Sequence, residues 1–461
     1  MIVQNELFTC SGNRLRVFQG KLTEAAKADK SRKFGILYDK VCWKETLQEA
    51  WKLVRANKGS AGVDGKTIRH IEESYGVSQF LEELRTELVS KSYRPEKVRR
   101  VWIDKPGKKE KRPLGMPTVK DRVIQQAVRL IIEPILEVDF KDCSYGFRPG
   151  RSAHQAVGEV SRQLAFRNWW VIGLDIKSYF DSIPHEKLIT LLQGRIKDKW
   201  IIRLIRRWLK AGVMDGKDFR RTEAGTPQGG VISPLLANLY LNEIDRSWEK
   251  KGYANRYRQD CHLVRYADDM VVLCPTRARA TFFFRRLEAM LAELGLTLNR
   301  DKSKIAHLKE GFDFLGFHFT SGYSYRKGKD VAVKFPSAKA VKGIKANVKE
   351  VLKDNCLGRD LNEVVKAVNA RLRGWGNYFR VGNSYRQFLE VNAYAVDQLR
   401  LFLRRKYQRK RDRGFRTFPG HFLYGNLGLC YLPGTFSRRM PSGNAGEGKP
   451  SRGKPYARFG R

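Results

Sequence analysis

The chain has 461 residues, 42% of them hydrophobic and 30% charged, which is enough apolar mass for two or three domains with real cores. Its 90 Lys and Arg stand against 48 Asp and Glu, a net charge of +42 at pH 7. Such an excess repels itself unless a polyanion neutralises it, so nucleic acid is the expected partner, and no long amphipathic basic helix with an isolated apolar face offers itself to a membrane surface instead.

The N-terminus, Met1-Ile-Val-Gln-Asn-Glu6, lacks the basic segment and apolar core of a secretory signal, and no apolar run reaches spanning length. Seven scattered cysteines without a Cys-x-x-Cys pair suit a reducing cytoplasm and argue against a cysteine zinc module. The first forty or so residues are weakly patterned. Trp43, Leu47, Trp51 and Val54 have helical spacing, ended by the glycine-rich stretch Asn57–Gly65. That stretch lacks a Gly-Lys-Ser/Thr ending and follows no strand, so it reads as a flexible connector and not a phosphate cradle. A second amphipathic helix runs from Val77 to Leu88. In Lys97–Met116 the alternation of Val98, Arg99, Val101, Trp102 and Ile103 predicts a strand, Pro106-Gly107 a turn, and Lys111 and Arg112 a second strand. The result is a basic hairpin, either a solvated charged loop or a holder of triphosphate or template backbone.

Asp121–Val138 reads as a buried helix stopped or kinked near Pro134, followed by a turn-rich segment and a helix from His154 to Phe166. Trp169–Ile176 is a nearly continuous apolar run, as a buried central strand should be. Asp175 near its end is costly unless something pairs with it. Helical segments extend to about Leu209, and Arg220–Gly230 is a loop. Ser233 opens an apolar helix with Pro234 at its first position, whose N–H groups are available to an anion. In His262–Cys274 two β-rich apolar runs flank Asp268 and Asp269, predicting strand, tight turn and returning strand. Asp-Asp suits such a turn poorly, since two-residue turns want positive φ and the pair sets like charges side by side. A divalent cation would relieve the repulsion, and a solvated neutral turn is the plainer reading of the hairpin alone.

A helix from Ala278 to Leu294 and a strand-like Phe312–Phe319 come next. From Ser337 three basic helices are expected, Ser337–Lys353, Leu361–Phe379 and Tyr385 to about Lys410, with Trp375, Tyr378, Phe379 and Phe402 interspersed. Cationic helices carrying aromatics suit a nucleic-acid surface. The Gly-, Ser-, Pro- and Arg-rich stretch from Thr435 is expected to be disordered as a free chain.

Three carboxylates stand out: Asp175, Asp268 and Asp269. Brought together by neighbouring strands, they would suit the two Mg²⁺ ions of a polymerase, one activating a primer 3′-hydroxyl and one holding a triphosphate. Phe180, five residues beyond Asp175, is placed to pack beside a nucleotide sugar, or simply in the core.

The order of motifs resembles the reverse transcriptases encoded by bacterial group II introns, also called maturases. The matching stretches are Asn57–Gly65, Arg112–Arg122, Tyr145–Ser152, Leu174–Asp181, Gly225–Pro234, Tyr266–Asp269 and Phe314–Phe317, and Gly374–Phe379 looks like the maturase signature. The resemblance implies an α+β fold, a right-hand polymerase of fingers and palm followed by a helical thumb or maturase domain. The expected divisions are an N-terminal extension over 1–85, fingers and palm over 86–320, thumb over 337–421, and a short basic, flexible tail over 422–461. Asp175, Asp268 and Asp269 match the metal-binding aspartates, with Mg²⁺, or Mn²⁺ in its place, as cofactor. Lys105 and Arg112 look like the residues on the incoming triphosphate. Phe180 matches the aromatic that excludes a ribose 2′-hydroxyl, and Gln228 a glutamine of the nucleotide pocket. Implied partners are intron RNA, an RNA template with a DNA primer, target DNA and deoxynucleoside triphosphates, in a bacterial cytoplasm. The absence of a Cys-rich endonuclease signature resembles the endonuclease-lacking branch. A splicing factor with an idle polymerase, and a domesticated or defence reverse transcriptase, are the competing expectations.

Overall fold

The computed structural model describes residues 3–104, 111–215, 218–220, 225, 229–253, 261–353, 356–408 and 417–436. It divides into two compact units, 1–156 with 172–305, and 157–171 with 306–461.

The first unit opens with α1 (Val3–Ala28), which buries Leu15, Leu22 and Ala26. After α2 (Tyr38–Val41), α3 (Lys44–Ala56) buries Leu47, Ala50, Trp51 and Val54, the stripe its spacing predicts. A short α4 (Ile68–His70) leads to α5 (Val77–Val89), with Phe80, Leu81, Leu84 and Leu88 inside. The glycine-rich stretch between α3 and α4 is docked, contrary to the expectation of a flexible connector. Gly62 lies so close to the Thr118 backbone that a Cβ would stand 2.6 Å from its Cα, and the Arg122 guanidinium donates to the Ser60 carbonyl.

Strands β1 (Val98–Asp104) and β2 (Lys111–Met116) form the expected basic hairpin, with Ile103 opposite Arg112. Helix α6 (Val119–Glu137) is capped by the Thr118 hydroxyl, which accepts from the Asp121 N–H at 3.1 Å, and is buried along most of its length. Pro134 does not stop it. Proline lacks the N–H that would bond the Leu130 carbonyl, and the Gln19 side-chain amide from α1 donates to that carbonyl instead, at 2.8 Å.

The next elements follow in order. They are α7 (Ala153–Ala165), β3 (Trp170–Leu174), α8 (Tyr179–Ser182), α9 (His185–Gln193), α10 (Lys199–Lys210), β4 (Val213–Asp215), β5 (Asp218–Arg220), α11 (Ser233–Lys250), β6 (His262–Tyr266), β7 (Asp269–Cys274), α12 (Arg277–Glu293) and β8 (Lys304–His307). One sheet has the order β2-β1-β4-β5 and a second β6-β7-β3-β8. Nearly every position of β6 and β7 is buried except at their ends, as the continuous apolar runs require.

In the second unit, β9 (Phe312–Phe314), β10 (Phe317–Ser324) and β11 (Lys329–Pro336) form an antiparallel sheet. Phe312–Phe319 is thus a hairpin and not one strand, because Leu315 (φ +48°) and Gly316 (φ +80°) make a two-residue turn. The Leu315 carbonyl accepts from the Tyr378 hydroxyl at 2.9 Å, which helps hold a conformation unusual for leucine. Helices α13 (Ala338–Val351), α14 (Leu361–Phe379) and α15 (Tyr385–Lys406) follow. Residues 422–436 correct the expectation of a flexible tail beginning at 422: Leu423, Leu429 and Leu432 are buried. Asn369 on α14 receives the Cys430 N–H at 2.7 Å and donates to the Gly428 carbonyl at 2.8 Å.

Candidate active site

Tyr266 pairs directly with Asp269, so the turn of the β6–β7 hairpin is Ala267-Asp268 and not Asp268-Asp269. Ala267 takes the left-handed position with φ +57°. Asp268 is half-buried in the turn, and Asp269 is the exposed first residue of β7. The sheet order sets β7 beside β3, and Asp175 is the residue after β3. Strands β3 and β7 are therefore neighbours, with Asp175 following the one and Asp268 and Asp269 at the start of the other.

Asp175 is fixed by the segment that precedes β8. Its N–H donates to the Ser303 hydroxyl at 3.0 Å, and its carbonyl accepts from the Asn299 N–H at 2.8 Å. Carboxylate Oδ2 accepts from Asn299 Nδ2 at 3.0 Å and from the Lys302 ammonium at 2.9 Å. A cation is thus already drawn to this carboxylate. Among the described residues no group of three or more His, Cys, Asp or Glu side chains is placed to hold a metal ion. The three carboxylates are nevertheless hard oxygen donors of the kind Mg²⁺ takes, since that ion keeps waters and completes its shell with substrate phosphates.

Arg265 holds the hairpin from below. It is fully buried, a costly place for a cation, and every side of it is paired. Nε donates to Asp245 Oδ1 at 3.0 Å, and one terminal nitrogen donates both to Asn238 Oδ1 and to the Ala267 carbonyl, each at 3.0 Å. The other terminal nitrogen bonds Asp245 Oδ2. Its backbone N–H donates to the Cys143 carbonyl and its carbonyl accepts from the Tyr145 N–H, both at 2.8 Å. Asn238 in turn donates to the Gly146 carbonyl at 2.7 Å. A Cβ on Gly146 would stand 2.4 Å from the Ala267 nitrogen, so the turn bearing Asp268 rests directly on glycine backbone. Sequence reasoning passed over Arg265, Asn238, Asp245, Asn299 and Lys302. A lone Arg inside the apolar β6 and an Asp inside the apolar α11 were the available signals for a buried pair.

Phe180 lies half-buried on α8, its ring centroid 5.4 Å from that of Tyr179. Tyr179 is buried, its hydroxyl donates to the Ala237 carbonyl at 2.6 Å, and burial, with the Asp268 charge adding, pushes its pKa well up. Gly225 abuts α8: a Cβ there would meet the Asp181 Cα at 2.7 Å and the Phe180 carbonyl at 2.8 Å. Four residues on, Gly229 abuts β2, where a Cβ would meet the Gly115 carbonyl at 2.2 Å. Gly225 thus packs on the Phe180 helix and Gly229 on the strand of Arg112. Gln228 and Lys105, and the side chain of Arg112, lie outside the described residues. A cleft of about 1090 Å³ lined by Trp43, Lys91 and Trp200, among others, includes none of these site residues.

Two family profiles match the chain. One, described as reverse transcriptase (RNA-dependent DNA polymerase), covers residues 103–319, and the other, the group II intron maturase-specific domain, covers residues 341–418. Protein YkfC of Escherichia coli (strain K12) is 37% identical over 331 residues, 65% of this chain and 86% of its own length. The group II intron-encoded protein LtrA of Lactococcus lactis subsp. cremoris is 48% identical over 155 residues, 34% of this chain but only 26% of LtrA. Among solved structures, a partial Cas6-RT-Cas1–Cas2 complex shares 24% identity at a TM-score of 0.35, covering 56% of this chain and 41% of that one, too distant a likeness to bear on function. The fold is that of a reverse transcriptase with a helical C-terminal region. The chain belongs to the reverse transcriptases of the group II intron type, those that carry the maturase domain. No described helix is long and apolar enough to cross a membrane.

Proposed function

We propose that the chain is an RNA-directed DNA polymerase of a group II intron that also binds the intron RNA to promote its splicing and mobility. The observation that carries this reading is the seating of Asp175 and the Asp268-Asp269 hairpin on neighbouring strands of one sheet, in a chain matched by both family profiles. Asp175, Asp268 and Asp269 would hold two Mg²⁺ ions, replaceable by Mn²⁺, whose charge would lower the pKa of the primer 3′-hydroxyl and offset that of the triphosphate. The protein's own part is mostly positioning and charge. Asn299 and Ser303 set the orientation of Asp175, while Arg265 sets the turn that presents Asp268. Phe180 packs beside the sugar of the incoming nucleotide and rejects a 2′-hydroxyl. Lys105 and Arg112 hold the triphosphate, and Gln228 contributes to the nucleotide pocket. The substrates are an RNA template with a DNA primer and deoxynucleoside triphosphates. The macromolecular partners are intron RNA and target DNA, and the setting is a bacterial cytoplasm.

Primer extension on an RNA template with Mg²⁺ tests the reading, comparing wild type with Asp269→Ala. Extension by wild type alone is expected. No extension by folded wild type that still binds RNA would transfer the function to splicing only, and extension by the variant would remove Asp269 from the metal site. Phe180→Ala should extend normally with deoxynucleotides and incorporate ribonucleotides at least about tenfold more readily, the scale of losing one steric discrimination. Unchanged discrimination would return that ring to the core.

A further inference from the structure

Strands β10 and β11 form a ribbon paired from Phe317 opposite Pro336 to Ser324 opposite Lys329. Its tip reads Tyr323-Ser-Tyr-Arg-Lys-Gly-Lys329. Tyr323 is 50% exposed and Tyr325 71%, and their rings lie edge to face with centroids 5.2 Å apart. Single exposed aromatics are ordinary, but here two adjoin each other and gain little burial from the fold. Arg326, Lys327 and Lys329 surround them, all exposed, and Asp330 is the one carboxylate between 323 and 330. Exposed rings beside an excess of cations are the two halves of a single-strand contact: a base has a π-face to stack, and its phosphates have charge to pair. In a duplex the base faces are already stacked on one another, so this chemistry selects unpaired nucleotides.

We propose that the β10–β11 tip binds single-stranded RNA, with a base stacked on Tyr323 or Tyr325 and the flanking phosphates paired with Arg326, Lys327 and Lys329. The assignment rests on the proposed RNA-binding role and adds to it a contact separate from the carboxylate site. The tip lies on the sheet of the second unit, and the three aspartates belong to the first. The side chains are exposed, so substitutions here leave the core intact.

The test is fluorescence anisotropy of the full chain with a labelled oligouridylate, beside a duplex RNA hairpin and an oligodeoxythymidylate. Tyr323→Ala/Tyr325→Ala should weaken oligouridylate binding roughly tenfold or more, the scale of losing base stacking. Tyr323→Phe/Tyr325→Phe, which keeps both rings, should stay within about twofold of wild type. Arg326→Ala/Lys327→Ala/Lys329→Ala should reduce the slope of log affinity against log salt by about 2, the share of three single-strand phosphate contacts. Wild-type affinity in the alanine pair, or a loss confined to the duplex or to the deoxy strand, would overturn the proposal. The polymerase reading is scored separately, by primer extension with wild type and Asp269→Ala. Inactive wild type with a tyrosine-dependent contact leaves the tip assignment standing, and active wild type with a silent tip overturns the tip alone.

Discussion

Asp121, at the start of α6, is the clearest titrating group in the first unit. Burial raises its pKa to about 6, while hydrogen bonds from Tyr93 at 2.5 Å and Thr118 at 2.8 Å oppose the rise. A carboxyl raised from 3.8 to about 6 by folding binds its proton more tightly in the native state. Its contribution is therefore fully present below about pH 4, is lost as pH rises to about 6, and is flat above that. The shift corresponds to roughly 3 kcal/mol. Urea denaturation at several pH values should show this decline in wild type, and Asp121→Asn should flatten it. An unchanged pH profile in that variant would place the titration elsewhere. Elsewhere in this unit the Lys302 ammonium pairs with the Asp175 carboxylate at 2.9 Å.

At the scale of elements, the β6–β7 hairpin depends on α11 and on the segment 143–147 through Arg265. Removing one partner of a buried ion pair strands the other. Arg265→Met should therefore cost about 3–5 kcal/mol, by leaving Asp245 charged and unpaired. Arg265→Met/Asp245→Leu should recover most of that loss in urea denaturation, since a packed apolar pair replaces an ionic one at little cost. The same double variant still lacks the bond to the Ala267 carbonyl, so its extension rate should stay below that of wild type. Full recovery of both stability and rate would make the network structural only. Elements with a strong period were legible in advance: the stripe of α3 and the ends of α14 fall where the apolar spacing puts them. α1 was not, because its apolar pattern is weak and its burial is decided by α6. The turns were misread for a related reason. Ala267 and Leu315 hold positive φ through contacts with Arg265 and Tyr378, which no local turn signal announces.

For the whole molecule, the net charge of +42 predicts that electrostatic attraction to phosphate dominates nucleic-acid binding. RNA affinity should fall by about 10³-fold or more between 50 and 200 mM salt if roughly six or more phosphates are contacted. Filter binding across that range checks it, and a shallow slope would mean that most of the excess charge faces away from the nucleic acid. The family could be read from the chain alone because its motifs are short, local and correctly ordered, and the excess of cations is a matter of counting. Asp175, Asp268 and Asp269 were singled out as candidates on the same motifs. Only the tertiary structure decided that β7 lies beside β3, that Lys302 and Asn299 claim the Asp175 carboxylate, that Arg265 supports the turn, and that residues 422–436 pack instead of trailing. Periodicity reports which face of one element avoids water. Which distant element covers that face is settled by packing and by the pairing of buried polar groups across the chain, and neither leaves a local mark in the sequence.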